Sequence, residues 1–442
     1  MNFSKQINNV SSLQFFQLFR FGILFIISIC FAKSHLTISE IGIYEKLIFL
    51  SGAISFFWVN GVIQSLLPLY NNNKTFAKTN KSPVLFNALF ISVIFSIIII
   101  SILLITEKNS SSFLISTTEI PYKWLFVVFF VVSTPAFLLE YVYLLLNKPR
   151  SIIYYSLLTF SLQFVAVVFP IWIGYGIKEG LYGLIAVSAL RLIWLIILVL
   201  KNSKPIISLS FIKEHLILAA PLIAGALISG SMPYIDGIIV SSNFDNATFA
   251  IYRYGARELP LAMLLANAFS NAMLPEISEN NDISIALKSL KEKSKRLMHF
   301  LFPISIILII ISHWLYPIIF NPQFIKGAEV FNVFLLLVIT RLVFPQTILL
   351  GLKKTNILLI VSIIEFIIKL VFSIWLAKYY GIVGVALGTL IAFIIERAIL
   401  ITINYKYLKI NPNQYIDIKW ISFYSTLIII VYFFVERNIY GF

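Results

Sequence analysis

The chain has 442 residues, of which 60% are hydrophobic and only 12% are charged, and its mean hydropathy is +0.94. A soluble domain carries about 25% charged residues, so a water-soluble globular fold is excluded. A formal net charge of +15 would suit a nucleic-acid partner in a soluble protein, but the basic residues here follow loop sidedness and no nucleic acid is expected.

Apolar runs long enough to cross a hydrocarbon core about 30 Å thick recur along the whole chain. They place spans near 13–32, 44–69, 84–105, 122–146, 152–173 and 181–200. A second set falls near 215–240, 257–275, 297–319, 329–350, 357–377 and 383–403, and a shorter run at 420–435 is a candidate thirteenth. The first span follows a short polar start and is read as a signal anchor. Cys30 is the only cysteine, so no intramolecular disulfide can form, and the four histidines show no metal-ligand spacing.

With a cytoplasmic N-terminus, the inner segments hold Lys5, Lys74, Lys78, Lys81, Lys148, Arg150, Lys201, Lys204, Lys213, Lys288, Lys291, Lys293, Lys295, Arg296, Lys353, Lys354, Lys406, Lys409 and Lys419, nineteen in all. The outer segments hold nine: Lys33, Lys108, Lys123, Lys178, Arg253, Arg257, Lys326, Lys378 and Arg437. That bias fits the positive-inside rule.

The two sets of six repeat one another. Gly42-Ile43-Tyr44 corresponds to Ala250-Ile251-Tyr252 at an offset of 208, and Leu67-Pro68 to Leu274-Pro275 at 207. Asn147-Lys148 corresponds to Leu352-Lys353, and Tyr175-Gly176-Ile177 to Tyr380-Gly381-Ile382, both at 205. An even number of spans per half makes the repeats parallel, an arrangement common in transporters. The expectation is an all-α integral membrane protein of twelve or thirteen helices, with residues 1–214 and 215–442 as two six-helix bundles around a central cavity.

Several of these motifs resemble a known family. Tyr234-Ile235-Asp236-Gly237, Ala250-Ile251-Tyr252-Arg253-Tyr254 and Met273-Leu274-Pro275-Glu276 resemble the start of the second half of polysaccharide flippases, with Ala250 in place of the usual glycine. Ile41-Gly42-Ile43-Tyr44 looks like the same loop signature, and Tyr380-Gly381-Ile382-Val383-Gly384-Val385-Ala386 is similar to the family's approach to span 12. The resemblance implies a Wzx-type O-antigen or capsule flippase, in the superfamily that also holds multidrug-and-toxin extrusion proteins and the lipid II flippase. It implies a bacterial cytoplasmic (inner) membrane location and no cofactor. The cargo implied is a polyprenyl-diphosphate-linked glycan, used for lipopolysaccharide or other surface polysaccharide, with a polymerase and a chain-length regulator as partners.

An ionisable group at membrane depth costs about 2.5–3.5 kcal/mol on insertion scales, so each one needs a reason. The candidates are Arg20, Glu140, Arg191, Asp236, Arg341, Glu365, Lys369, Glu396 and Arg397. Glu365 and Lys369, four apart, have the spacing of an ion pair on one helical face, while the adjacent Glu396 and Arg397 are expected to diverge. Arg191, Arg341 and Arg397, with Arg20, are expected to bind an anionic headgroup, because guanidinium bonds phosphate bidentately and stays charged. The plainer alternative is pairing with a distant carboxylate, or snorkelling, which suits Arg20 near the start of span 1. Asp236 and Glu140 suit a coupling cation or proton, or, for Asp236, the cap of a kinked helix end. Glu365 and Lys369 are further coupling or gating candidates.

Pro135, Pro221, Pro233, Pro260, Pro303 and Pro345 predict bends. Gly384-x-x-x-Gly388 predicts a helix-packing face, and Lys288 to Arg296 an interfacial helix attracted to anionic lipid. A multidrug-type cation antiporter would need acidic groups where the arginines stand. A polysaccharide polymerase or other membrane enzyme would carry a large external loop with catalytic groups. No loop here much exceeds 20 residues, so no enzyme is expected.

Overall fold

Apolar runs of this length can cross hydrocarbon only if their backbone groups bond internally, and a helix does that within one segment. The computed structural model describes residues 9–72, 82–109, 122–256, 260–279 and 282–440, and every element among them is helical. Of the basic residues assigned to loops, Lys5, Lys74, Lys78, Lys81 and Arg257 lie outside the described residues.

In chain order the helices are α1 (Asn9–Ala32), α2 (Ile38–Asn72), α3 (Val84–Asn109), α4 (Lys123–Ala136), α5 (Leu139–Leu145), α6 (Pro149–Trp172), α7 (Ile177–Asn202), α8 (Leu209–Ser229) and α9 (Met232–Asn243). They continue as α10 (Asn246–Gly255), α11 (Pro260–Glu279), α12 (Ile283–Ile319), a 3-10 turn (Pro322–Phe324), α13 (Ile325–Leu336), α14 (Val338–Arg341), α15 (Pro345–Gly351), α16 (Thr355–Lys406), α17 (Pro412–Tyr415) and α18 (Ile418–Tyr440). Among the described residues, eleven helical stretches are long and apolar enough to cross a membrane. One of them, α16, holds two predicted spans, and the less apolar α11 holds another. The candidate thirteenth span lies in α18, which qualifies over Ile418–Arg437.

The chain divides into two compact units, residues 1–234 with 241–250, and residues 235–240 with 251–442. The first unit takes in α8, which packs along α2. Its core joins Phe16 of α1, Leu66 of α2, Val142 of α5, Tyr155 and Phe160 of α6, and Leu195 of α7. In the second unit α12 packs on α13 and α18, and α16 packs on α13 and α15.

Local geometry repeats between the units. Asn147 and Lys353, 206 apart, both take a left-handed backbone (φ 54° and 58°) that ends a helix. In each case the next N–H reaches five residues back, Lys148 N to Tyr143 O at 3.0 Å and Lys354 N to Leu349 O at 2.8 Å, satisfying a terminal carbonyl. The structure therefore matches Asn147 with Lys353, one residue on from the sequence alignment.

A straight α16 of 52 residues would be about 78 Å long, far beyond one bilayer crossing. Gly381 breaks it with φ 57° and ψ −136°, a region that favours glycine. Ser373 Oγ then donates to Val385 O at 3.2 Å, so the chain folds back on itself at Gly381. The predicted small-residue face lines this hairpin, because a Cβ on Gly384 would overlap Leu376 and one on Gly388 would overlap Ser373. In the first unit Gly183, 205 residues before Gly388, abuts Ala166 in the same way between α6 and α7.

Gly388→Val is expected to cost about 1–3 kcal/mol through overpacking, read as a lower Tm of the detergent-solubilised protein. Gly225→Ala, where nothing lies within 4 Å of an added Cβ, is expected to leave Tm unchanged or raise it.

Candidate functional site

The helix of span 4 breaks just after Pro135, and the span continues beyond the break. Phe137 N turns to Thr134 O at 3.3 Å and Leu138 N to Pro135 O at 3.0 Å, and the helix restarts as α5 at Leu139. The break sets Glu140 in the first turn of the new helix, 4% exposed, within the first unit.

Around it stand two guanidiniums from other helices. Arg20 of α1 lies 5.6 Å from the Phe137 ring centroid, and Arg191 of α7 lies 4.5 Å from that of Phe160. Arg191 Nη2 donates to Gln163 Oε1 at 2.8 Å, while its Nε is buried without a hydrogen-bond partner. Glu140 is close enough to both arginines to feel their charge. Two adjoining cavities, about 90 Å³ and about 170 Å³, share Arg20, Gly52, Phe137 and Glu140 in their walls, and the smaller also has Arg191 and Gln163. Two cations against one carboxylate leave the lining with one positive charge in excess. Arg20 thus faces the interior of the first unit alongside Arg191, a convergence that its place near the start of span 1 did not require.

The remaining candidates gather in the second unit. Lys369 Nζ, expected to pair with Glu365, lies 3.1 Å from Asp236 Oδ2, with Glu365 in electrostatic range. Thr389 Oγ1 donates to the same Asp236 oxygen at 2.6 Å. Asp236 sits past the first turn of α9, so its carboxylate serves this buried pair rather than capping the helix.

The expected divergence of Glu396 and Arg397 is corrected too. Both side chains are long enough for Arg397 Nε to approach Glu396 Oε2 at 3.4 Å. Arg397 also donates to Thr340 O at 3.0 Å and to Gln346. Arg341 lies 4.7 Å from the Phe393 ring centroid. Glu365 feels the charges of Glu396, Arg397, Lys369 and Arg341, so the six form one network of three cations and three anions.

Sequence reasoning passed over Glu45 and Lys46, taken as part of a span start. Both are buried in the first unit; Ser28 Oγ donates to Glu45 Oε1 at 3.4 Å and Lys46 Nζ to Ser241 O at 3.1 Å. Their signal was present, since an adjacent Glu-Lys within an apolar run carries the same insertion cost as the residues singled out. Near them Gly42 lets α2 meet α10 closely, because a Cβ there would overlap the Asn246 carbonyl.

Comparison with known proteins gives these features a context. Among solved structures, the lipid II flippase MurJ in an inward closed conformation superposes with a TM-score of 0.62 at 17% identity, covering 98% of each chain. An inward-facing multidrug resistance MATE family transporter of the MOP superfamily gives 0.59 at 14% identity, covering 86% of this chain and 96% of that one. A mutant of the Vibrio cholerae MATE transporter VcmN gives 0.53 at 15% identity, covering 91% and 97%. At these identities the likeness is one of fold. No curated protein matches the chain. A family model described as lipid II flippase MurJ matches residues 47–441. The chain belongs to the lipid II flippase MurJ family, flippases of lipid-linked cargo that cross the membrane many times.

Proposed function

We propose that this protein moves a polyprenyl-diphosphate-linked saccharide from the cytoplasmic to the outer leaflet of the bacterial inner membrane by alternating access, with its N-terminus in the cytoplasm. The observation that carries the reading is the pair of guanidiniums, Arg20 and Arg191, lining adjoining cavities with one net positive charge. Such a lining suits a diphosphate, because buried guanidinium replaces the hydration that the phosphate oxygens lose. A multidrug-type exporter of organic cations would need the opposite excess. Arg341 and Arg397 remain candidates for the cargo, but their charges are matched by neighbouring carboxylates.

The cavities together fall short of the roughly 300 Å³ at the lower end of ligand pockets. They fit a diphosphate portion of the headgroup, and the sugars require the site to widen. With the cell interior negative, outward movement of two negative charges is favoured by about 4.6 kcal/mol per 100 mV. Glu140, Asp236, Glu365 and Lys369 are the coupling or gating candidates. Protonation of Glu140 would raise the excess charge of its site from one to two and tighten the hold on an anion, and deprotonation would favour release. Asp236, by contrast, already has an ammonium partner in Lys369.

Two saccharides compete as cargo. The motif resemblance points to an O-antigen or capsule unit, handed on to a polymerase and a chain-length regulator. The family match points to lipid II. Both present the same diphosphate. Proteoliposomes loaded with each in turn separate them, by the fraction that becomes accessible to an impermeant hydrolase on the far side.

In that assay Arg20→Ala or Arg191→Ala is expected to slow translocation about 10- to 100-fold, as for loss of a charged hydrogen bond. Arg191→Lys should fall between, since it keeps charge but loses the bidentate fork. Wild-type rates in both alanine variants, at normal expression, would remove the pair from the cargo site. Glu140→Gln should bind cargo more tightly and turn over more slowly, seen as a lower KM with a lower kcat. Lys369→Met is expected to destabilise the protein by about 3–5 kcal/mol by stranding Asp236. Asp236→Asn added to it should restore most of the lost Tm. Transport that returns with Tm marks the pair as structural, and transport that stays lost marks it as coupling.

A further inference from the structure

At 37 residues α12 is about 56 Å long, against a hydrocarbon core of about 30 Å. The apolar stretch from Leu297 supplies the crossing, so the first half of the helix projects into the headgroup layer. That half carries Lys288, Lys291 and Lys295, spaced by three and four residues and therefore on one face. The face walls a cavity of about 410 Å³, closed on the other side by α17 and Asp417.

Polar contacts join the two walls of this cavity. Asn411 caps α17 through a reciprocal bond with Gln414. Lys291 Nζ donates to the Asn413 carbonyl at 2.8 Å. Lys295 Nζ lies 3.5 Å from Asp417 Oδ2 and 5.6 Å from the Trp420 ring centroid. Trp420, Tyr424 and His299 form a ring cluster beside the cavity, with His299 4.5 Å from Trp420 by centroids and His299 Nδ1 2.9 Å from Tyr424 Oη. Amphipathic rings of this kind settle at the membrane–water boundary, which puts the cavity at headgroup level. Its lining has three ammonium groups against the carboxylates of Glu292 and Asp417, leaving one positive charge in excess.

We propose that this cavity binds the phosphodiester headgroup of a singly anionic glycerophospholipid such as phosphatidylglycerol. Lys291 and Lys295 are already oriented by a carbonyl and a carboxylate, and the exposed Lys288 on the same face completes the contact with the phosphate oxygens. One excess charge matches a monoanionic phosphodiester and is exceeded by a phosphomonoester dianion. The depth favours a lipid over free phosphate, since acyl chains attached to the headgroup stay in the bilayer beside α12 and α18. The site is separate from the arginine-lined cavities of the first unit and does not depend on what those cavities carry.

The test is native mass spectrometry of the full-length protein, released from mixed micelles of neutral detergent with phosphatidylglycerol, phosphatidylethanolamine or phosphatidylcholine. The expected result is one phosphatidylglycerol retained preferentially, with retention falling at least about tenfold in the Lys288→Gln/Lys291→Gln double variant. Lys288→Arg, which keeps the charge, and Lys201→Gln, a surface control in the first unit, should retain the lipid. Millimolar inorganic phosphate should leave retention unchanged. Equal retention of the zwitterionic lipids, wild-type retention in the double variant, or displacement of the lipid by inorganic phosphate would each overturn the assignment.

Discussion

A charge carried to the depth of the hydrocarbon must take its partner from the protein, because no water is there to supply one. The two units meet this demand differently. In the second, each charge is offset by an opposite one: Asp236 has Lys369 and Thr389, Arg397 has Glu396, and Glu365 stands among three cations. In the first, Arg20 and Arg191 rest against the faces of Phe137 and Phe160, and Gln163 takes one N–H. An aromatic face steadies a cation without cancelling its charge. The first unit therefore keeps one positive charge uncancelled beside its cavities, while in the second the buried charges lie beside opposite ones.

The same scarcity of water governs where the helices break. Non-helical backbone at membrane depth is tolerated where protein surrounds it. Around Pro135 the residues Ala136, Leu138 and Leu139 are buried, and from Leu337 to Pro345 nearly every residue is buried. The breaks also place chemistry. Glu140 opens α5 directly after the first, and at the second the Thr340 carbonyl accepts from Arg397. The same carbonyl also accepts the turn bond from Val343 N at 3.4 Å, so the break shares it between backbone and side chain.

Much of the fold was legible because its signals are local. Run length gives the spans, glycine marks the turn at Gly381, and the offset near 205 appears again in the packing of Gly183 and Gly388. The candidate site was less legible. Arg20, Glu140 and Arg191 stand on three helices, and no periodicity within one helix reports their meeting. Asp236 and Lys369 are 133 positions apart, so the nearer Glu365 was the natural partner to expect. Adjacency misled at Glu396 and Arg397, where a hundred-degree separation on the helix is bridged by side-chain length. Glu45 and Lys46 carried the cost of charges in an apolar run, but they sat where a span begins, a position that equally suits a pair at headgroup level.

The fold by itself does not select the cargo, since structures of lipid flippases and of multidrug exporters superpose on this chain with similar scores. What can select it is the sign of the charge that the cavity leaves uncancelled. An organic cation would meet Arg20 and Arg191 with like-charge repulsion and find only Glu140 to bind. A diphosphate meets two forked donors, with Glu140 as the single repulsive group. On the proposed reading that one carboxylate would give the site a means of letting go, since a transporter has to release what it binds.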